Sequence, residues 1–165
     1  MTSILLGHTG FVGLNLAAQH HFDYFYNSKN IKDISKLRGL PIDLLVCAGA
    51  SSVKWKANVE PFDDLIKLIN LTKSINSLSV KKLVLISTVD VFYEKVYDEN
   101  AKPNAKEGYG ANRAWLERCC CDNFNTSIIR LPALFGPGLK KNILYDLLHK
   151  QRLNNINPNN TLQWY

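Results

Sequence analysis

A chain of 165 residues, 46% hydrophobic and 21% charged, has the composition of one globular domain, which excludes disordered, collagen-like and other fibrous classes. Twenty Lys and Arg against fourteen Asp and Glu give a net charge of +6. The basic residues are scattered, with nothing tighter than Lys81-Lys82 and Lys140-Lys141, so no nucleic-acid partner is expected and a small anionic ligand suits the charge equally well. No apolar run reaches the roughly 20 residues of a membrane span. Met1–Gly7 lacks the basic start and long apolar stretch of a signal peptide, so the expected location is the cytoplasm.

Short apolar runs alternate with helical patterns along the chain. Ser3–Leu6 reads as a strand, followed by a glycine turn and a helix from Phe11 to about His20. Tyr24–Tyr26 is a short second strand, Asn30–Leu37 a weak helix or loop, and Leu44–Ala48 a buried strand. Pro61 opens a long helix to about Leu78, in keeping with proline's place in a first helical turn. Lys82–Ser87 is another buried strand, Val96–Glu107 a loop, Gly110–Asp122 a helix, Ser127–Leu131 a strand and Asn142–Gln151 a helix. Asn154–Asn160 is turn-like, and Leu162–Tyr165 resembles the start of a strand. Strands that are apolar without alternating predict an α/β fold: a Rossmann-type, doubly wound parallel sheet with helices on both faces. Only residues 14–42 separate Gly13 from Asp43, too few for the usual passage, so one helix-strand unit is expected to be reduced.

Two further patterns concern partners and redox state. In Pro61–Leu78 the polar residues Asp63, Lys67, Asn70, Ser74 and Ser77 form one narrow stripe, and apolar residues cover the rest. Such a helix is either deeply covered or part of a self-association face. The four cysteines, Cys47 and the run Cys119-Cys120-Cys121, lack the spacing of a zinc site and read as reduced thiols, so no metal is expected.

Gly7-His8-Thr9-Gly10-Phe11-Val12-Gly13 directly follows the first strand and opens the first helix. A first glycine permits the tight turn, a second lets a pyrophosphate approach the backbone, and a third allows close helix–strand packing. The helix start adds free N–H groups and a favourable dipole. The segment after the second strand, Tyr26-Asn27-Ser28-Lys29, lacks the acid that binds a ribose 2′-hydroxyl. It is either an ordinary polar turn or, through Ser28 and Lys29, a 2′-phosphate site, which favours NADP(H) over NAD(H). Asp33 and Ile34 are weak candidates for the adenine. His8 reads as a loop residue facing solvent or cofactor.

Ser87-Thr88-Val89-Asp90-Val91-Phe92 lies at the C-terminal end of a strand, where open α/β sheets bind ligands. Tyr109 and Arg113 are four apart on one helix face. A tyrosine beside a fixed cation can have its pKa lowered, and a threonine hydroxyl can bind the same substrate oxygen. Trp55 and Lys56 follow Cys47–Ser52 and read as a surface anchor or a substrate contact.

Five stretches in order resemble the extended short-chain dehydrogenase/reductase superfamily of nucleotide-sugar epimerases, dehydratases and reductases. They are the glycine turn, Cys47-Ala48-Gly49-Ala50, Ser87–Phe92, Tyr109–Arg113 and Ile129–Gly138. The resemblance implies that Thr88, Tyr109 and Arg113 are catalytic. It implies that Cys47, Ala48 and Gly49 line the dinucleotide, that Leu131, Pro132, Ala133 and Leu134 flank the nicotinamide, and that Ser51, Thr88 and Asp90 meet substrate. It further implies hydride transfer on a carbonyl or alcohol, with a nucleotide sugar as substrate. The apolar cover of Pro61–Leu78, where it is a self-association face, gives a homodimer through that helix and Gly110–Asp122. Two departures open the alternative of a non-catalytic dinucleotide-binding module. Arg113 stands where the family has lysine, and Val89-Asp90 where its dehydratases have two acids. Extended members are also much longer, so the substrate region after about residue 135 is expected to be short or missing.

Overall fold

The computed structural model describes residues 1–93, 98, 100–157 and 159. Among the described residues seven strands occur: β1 (Ser3–Leu6), β2 (Tyr24–Tyr26), β3 (Pro41–Ile42), β4 (Leu44–Cys47), β5 (Ser79–Val80), β6 (Leu83–Thr88) and β7 (Thr126–Leu131). Five of them form one parallel sheet in the order β2-β1-β4-β6-β7. The helices are α1 (Phe11–Gln19), α2 (Lys54–Val59), α3 (Pro61–Asn76), α4 (Gly108–Asn123) and α5 (Ile143–Leu148).

Alternating residues of the strands divide the apolar burial between two faces. Ile4, Leu6, Leu45, Cys47, Leu83 and Leu85 meet Leu68 and Ile75 of α3 and Leu116 and Cys120 of α4. Leu5 and Val46 turn the other way, with Phe22, towards Leu16 and Ala17 of α1. Both faces of the strands therefore carry apolar residues, which is why the strand sequences do not alternate.

The reduced unit lies after β2. There the chain makes only a 3-10 turn, Ile31–Leu37, and β3 pairs with β5 in a separate two-stranded sheet. β2 is consequently the edge of the main sheet. Counting main-sheet strands alone, the order is 2-1-3-4-5, and the winding direction reverses between β1 and β4. The helix α2 and the β3–β5 pair were not expected from the sequence, and α5 is shorter than expected. The strand expected over Leu162–Tyr165, and part of the Val96–Glu107 loop, lie outside the described residues. On α3 the inward stripe is Asp64, Leu68, Thr72 and Ile75, while Phe62 is 79% and Ile66 54% exposed. No helix among the described residues is long and apolar enough to cross a membrane.

Candidate functional site at the C-terminal sheet edge

The glycine turn follows β1 at the reversal point and faces the loop after β4. Gly7 takes φ +83, and a Cβ there would overlap the Ala48 carbonyl oxygen. At Gly13 a Cβ would overlap the Gly7 carbonyl oxygen, so both positions need glycine for packing alone. Gly10 differs. Its φ is −79, and a Cβ would meet only the Gly7 carbonyl oxygen at 3.4 Å, an ordinary contact. Gly10 is also the N-cap of α1, and no side chain caps that helix. The fold therefore leaves space over Gly10 beside uncapped N–H groups, the arrangement a pyrophosphate requires. The two kinds of glycine are separable by experiment. Gly13→Ala should lower stability by about 1–3 kcal/mol through overpacking, whereas Gly10→Asp, a favoured N-cap residue, should leave the thermal midpoint near wild type and, by repelling a phosphate, weaken dinucleotide binding about tenfold or more. Equal thermal loss in both variants would contradict this division.

The turn's other residues are placed as follows. Phe11 and Val12 begin α1, and Thr9 precedes its cap. His8 turns towards β2 rather than to solvent: its Nδ1 lies 3.1 Å from the Tyr26 carbonyl and its Nε2 3.4 Å from the Asn27 amide. Because the carbonyl only accepts, Nδ1 carries the proton and Nε2 accepts from Asn27. Asn27 also accepts the Lys29 N–H, and its own N–H donates to Asn30, which fixes the turn that exposes Ser28 and Lys29. Ile34 is 2% exposed in the core, and Asp33 pairs with Lys36 on the surface. The adenine role for Ile34 is corrected accordingly: its side chain packs under the sheet. Cys47 is likewise a core residue, fully buried, with its thiol pushed up to about 11 by burial. Ala48 and Gly49, the next two residues, reach the crevice.

Thr88 ends β6 and caps a 3-10 turn over Val89–Val91, its Oγ1 accepting the Asp90 N–H at 3.1 Å. The Thr88 hydroxyl donates to Asp90 Oδ2 at 3.3 Å. Tyr109 enters at the first turn of α4, where its N–H donates to Asn58 Oδ1 at 2.9 Å. A Cβ at Gly110 would overlap the Asp90 carbonyl oxygen, so a glycine next to Tyr109 lets α4 close against the Thr88–Asp90 turn. Ser87 points away from this pair: its hydroxyl donates to Glu117, which is buried and chelated by Arg130.

Two expectations about Tyr109 and Arg113 are corrected. Burial pushes the Tyr109 hydroxyl above its ordinary value, outweighing the downward pull of the Arg113 charge, and Asp90 adds to the rise. Arg113 does not extend to the open edge. Its guanidinium, 2% exposed, donates to both oxygens of Asp64 on α3, at 2.8 and 3.0 Å, and to the Ser51 carbonyl. It lies 4.3 Å over the Tyr109 ring. Asn112 also donates to Asp64. Burial pushes the Asp64 carboxyl up, but hydrogen bonds from Arg113 and Asn112 and the charge of Arg113 prevail, and the net direction is down. The Ser51 carbonyl is thus held by Arg113, while its side chain remains exposed.

Leu131 closes β7, and Pro132, Ala133 and Leu134 follow half-buried. The chain then returns over α1, where Asn15 donates to both the Phe11 and Pro137 carbonyls. Three residues absent from the sequence expectations belong to the site: Lys54, whose Nζ is 2.6 Å from Asp90 Oδ1, Asn58 and Asp64. Asp64 had a signal, an acid four residues before the buried Leu68 on the apolar side of its helix. A concavity of about 480 Å³ lies at the opposite sheet edge, lined by Met1, Asp43, Lys81, Lys82 and Asn125. It contains none of these groups and sits away from the carboxyl ends of the strands, where such folds bind ligands.

No family model and no curated protein matches the chain. Solved structures do. A UDP-glucuronic acid 4-epimerase from Bacillus cereus in complex with NAD is 18% identical with a TM-score of 0.69, over 92% of this chain and 64% of that one. A dTDP-4-dehydrorhamnose reductase from Bacillus anthracis in complex with NADP is 22% identical with a TM-score of 0.74, over 90% and 59%. An NAD-dependent NDP-hexosamine 5,6-dehydratase involved in tunicamycin biosynthesis is 19% identical with a TM-score of 0.69, over 90% and 62%. The chain therefore spans 59–64% of these three proteins. At such identities the likeness is one of fold alone, and that fold is a Rossmann-type parallel α/β sheet with helices on both faces.

Proposed function

We propose that the chain binds a nicotinamide dinucleotide and takes part in hydride transfer at a carbonyl or alcohol carbon of a nucleotide-activated sugar. The observation that carries this is the placement of the Gly10 cradle and of Thr88 and Tyr109 on one sheet edge, on either side of the reversal point. The dinucleotide, when bound, gives or takes the hydride. Phe11, Val12 and Gly13 offer N–H groups to its phosphates. Ala48, Gly49 and Leu131–Leu134 border the path from there to Thr88. Tyr109 moves the proton to or from the substrate oxygen, Thr88 orients that oxygen, and Ser51 and Asp90 border the substrate. The exposed Ser28 and Lys29, with no carboxylate beside Asn27, favour NADP(H).

One specific observation favours a second reading, a dinucleotide-binding module without turnover. Arg113, in the place of the family's lysine, is committed to Asp64 rather than to a ribose. Thermal melts with NADPH and NADH test both. Ligand at a hundred times its Kd should add about 2.7 kcal/mol of stability, with NADPH the tighter ligand and Lys29→Glu erasing that preference. No shift with either dinucleotide defeats both readings. Self-association through α3 and α4 belongs to the same proposal, with Phe62 and Ile66 outermost. Sedimentation of the Phe62→Glu variant measures it.

A further inference from the structure

Asp90 lies between the two groups assigned to proton handling. Its Oδ2 takes the Thr88 hydroxyl, and its charge raises the Tyr109 hydroxyl. The charged groups acting on Tyr109 are Arg113 from its own helix, Asp64 from α3 and Asp90 from the 3-10 turn. Arg113 and Asp64 are paired with each other. Asp90 has its own counterion, which comes from a helix the sequence did not reveal: Lys54, the first residue of α2, donates to Asp90 Oδ1 at 2.6 Å.

Lys54 and Asp90 are 56% and 33% exposed at the side chain. An ion pair that open adds little to stability, so its consequence lies in what it holds in place. α2 itself is anchored. Ala57 is buried, and Asn58 accepts the backbone N–H of Tyr109. The same short helix thus grips Tyr109 through Asn58 and Asp90 through Lys54. With Asp90 fixed, Thr88 Oγ1 accepts the Asp90 N–H and donates its single proton to Oδ2. That leaves one lone pair directed by the protein, suited to receive a substrate hydroxyl.

We propose that Lys54 is a positioning residue of this edge: it holds Asp90 against Thr88 and supplies, from α2, the positive charge that Arg113 commits to Asp64. The role of the held hydroxyl towards a substrate rests on the hydride-transfer function proposed above; the charge pairing does not.

The test uses Lys54→Met, Lys54→Arg and Asp90→Asn in the full chain. Without cofactor, the ionisation of Tyr109 is read by phenolate absorbance, each variant differenced against the same variant carrying Tyr109→Phe. Lys54→Met should move the midpoint up, because Asp90 then stands uncompensated. Asp90→Asn should move it down, and Lys54→Arg should leave it near wild type. An unmoved midpoint in Lys54→Met overturns the proposal whether or not the protein turns over. With NADP⁺ and a dTDP- or UDP-linked hexose, whose hydroxyl can donate to Thr88, Lys54→Met should cut kcat about tenfold through misplacement, leave the NADPH Kd unchanged, and be rescued by Lys54→Arg. Loss of NADPH affinity in Lys54→Met would instead make Lys54 a cofactor ligand and overturn the assignment. If wild type binds no dinucleotide, the functional reading fails alone, and the titration still decides Lys54.

Discussion

Replacing Asp64 with alanine should lower the unfolding free energy by about 3–5 kcal/mol, the cost of leaving one member of a buried ion pair alone. The side chains of Arg113 and Asp64 are 2% and 7% exposed. Among the described residues the buried Arg113 Nε–H already has no hydrogen-bond partner, and a lost carboxylate removes two of the three acceptors described for its guanidinium. The double variant Asp64→Leu with Arg113→Met should recover most of the loss, because apolar residues of similar volume often replace such pairs at no cost. Urea unfolding measures both. A single-variant loss below about 1 kcal/mol would place the pair in the class of exposed bridges and contradict its burial. The pH dependence has a definite sign. Because the folded Asp64 carboxyl lies below its ordinary value of 3.8, its contribution is present above that value and disappears as pH falls through the lowered one. Asp64→Ala should flatten the acid limb of the stability curve.

The second large effect is on chemistry. Tyr109→Phe should cut turnover by about 10²–10⁴-fold, the usual worth of a positioned proton donor, while the dinucleotide Kd and the melting temperature stay close to wild type. The ring keeps its place under the Arg113 guanidinium without the hydroxyl. Turnover within about a factor of three of wild type would remove Tyr109 from the chemistry. The raised Tyr109 hydroxyl adds a directional expectation. A phenol that ionises above its ordinary value of 10 is a proton donor at neutral pH, so carbonyl reduction should run there. Alcohol oxidation needs the phenolate, and its rate should climb with pH into the alkaline range. An oxidation rate already flat at neutral pH would contradict the burial of this group.

What the sequence made legible follows from the range of the forces involved. β1 and β2 have the expected bounds, because short apolar runs flanked by turn residues carry their own limits. The glycine turn was readable because its spacing encodes backbone contacts within seven residues. α2 was not readable. Trp55 and Val59 point outward, 71% and 73% exposed, and only Ala57 is buried, so no apolar period marks it. β3 and β5 are two residues each and exist because they pair across a long separation. Arg113 was readable as a cation beside Tyr109, and it is one. Its true partner is 49 positions away on another helix. The direction of the Tyr109 shift failed for a related reason: a neighbouring charge is visible in a sequence, whereas the desolvation that outweighs it belongs to the packed helix.

The Asp64–Arg113 contact also has a meaning for the routes by which this protein can vary. Changing position 64 alone strands the Arg113 guanidinium in the core, whereas a lysine at 113 still places a cation beside Asp64, with fewer donors to share between the carboxylate and the Ser51 carbonyl. The two positions are therefore unequal as starting points: substitutions at 113 that keep a cation are open, and neutral residues at 64 become open only once 113 has lost its charge.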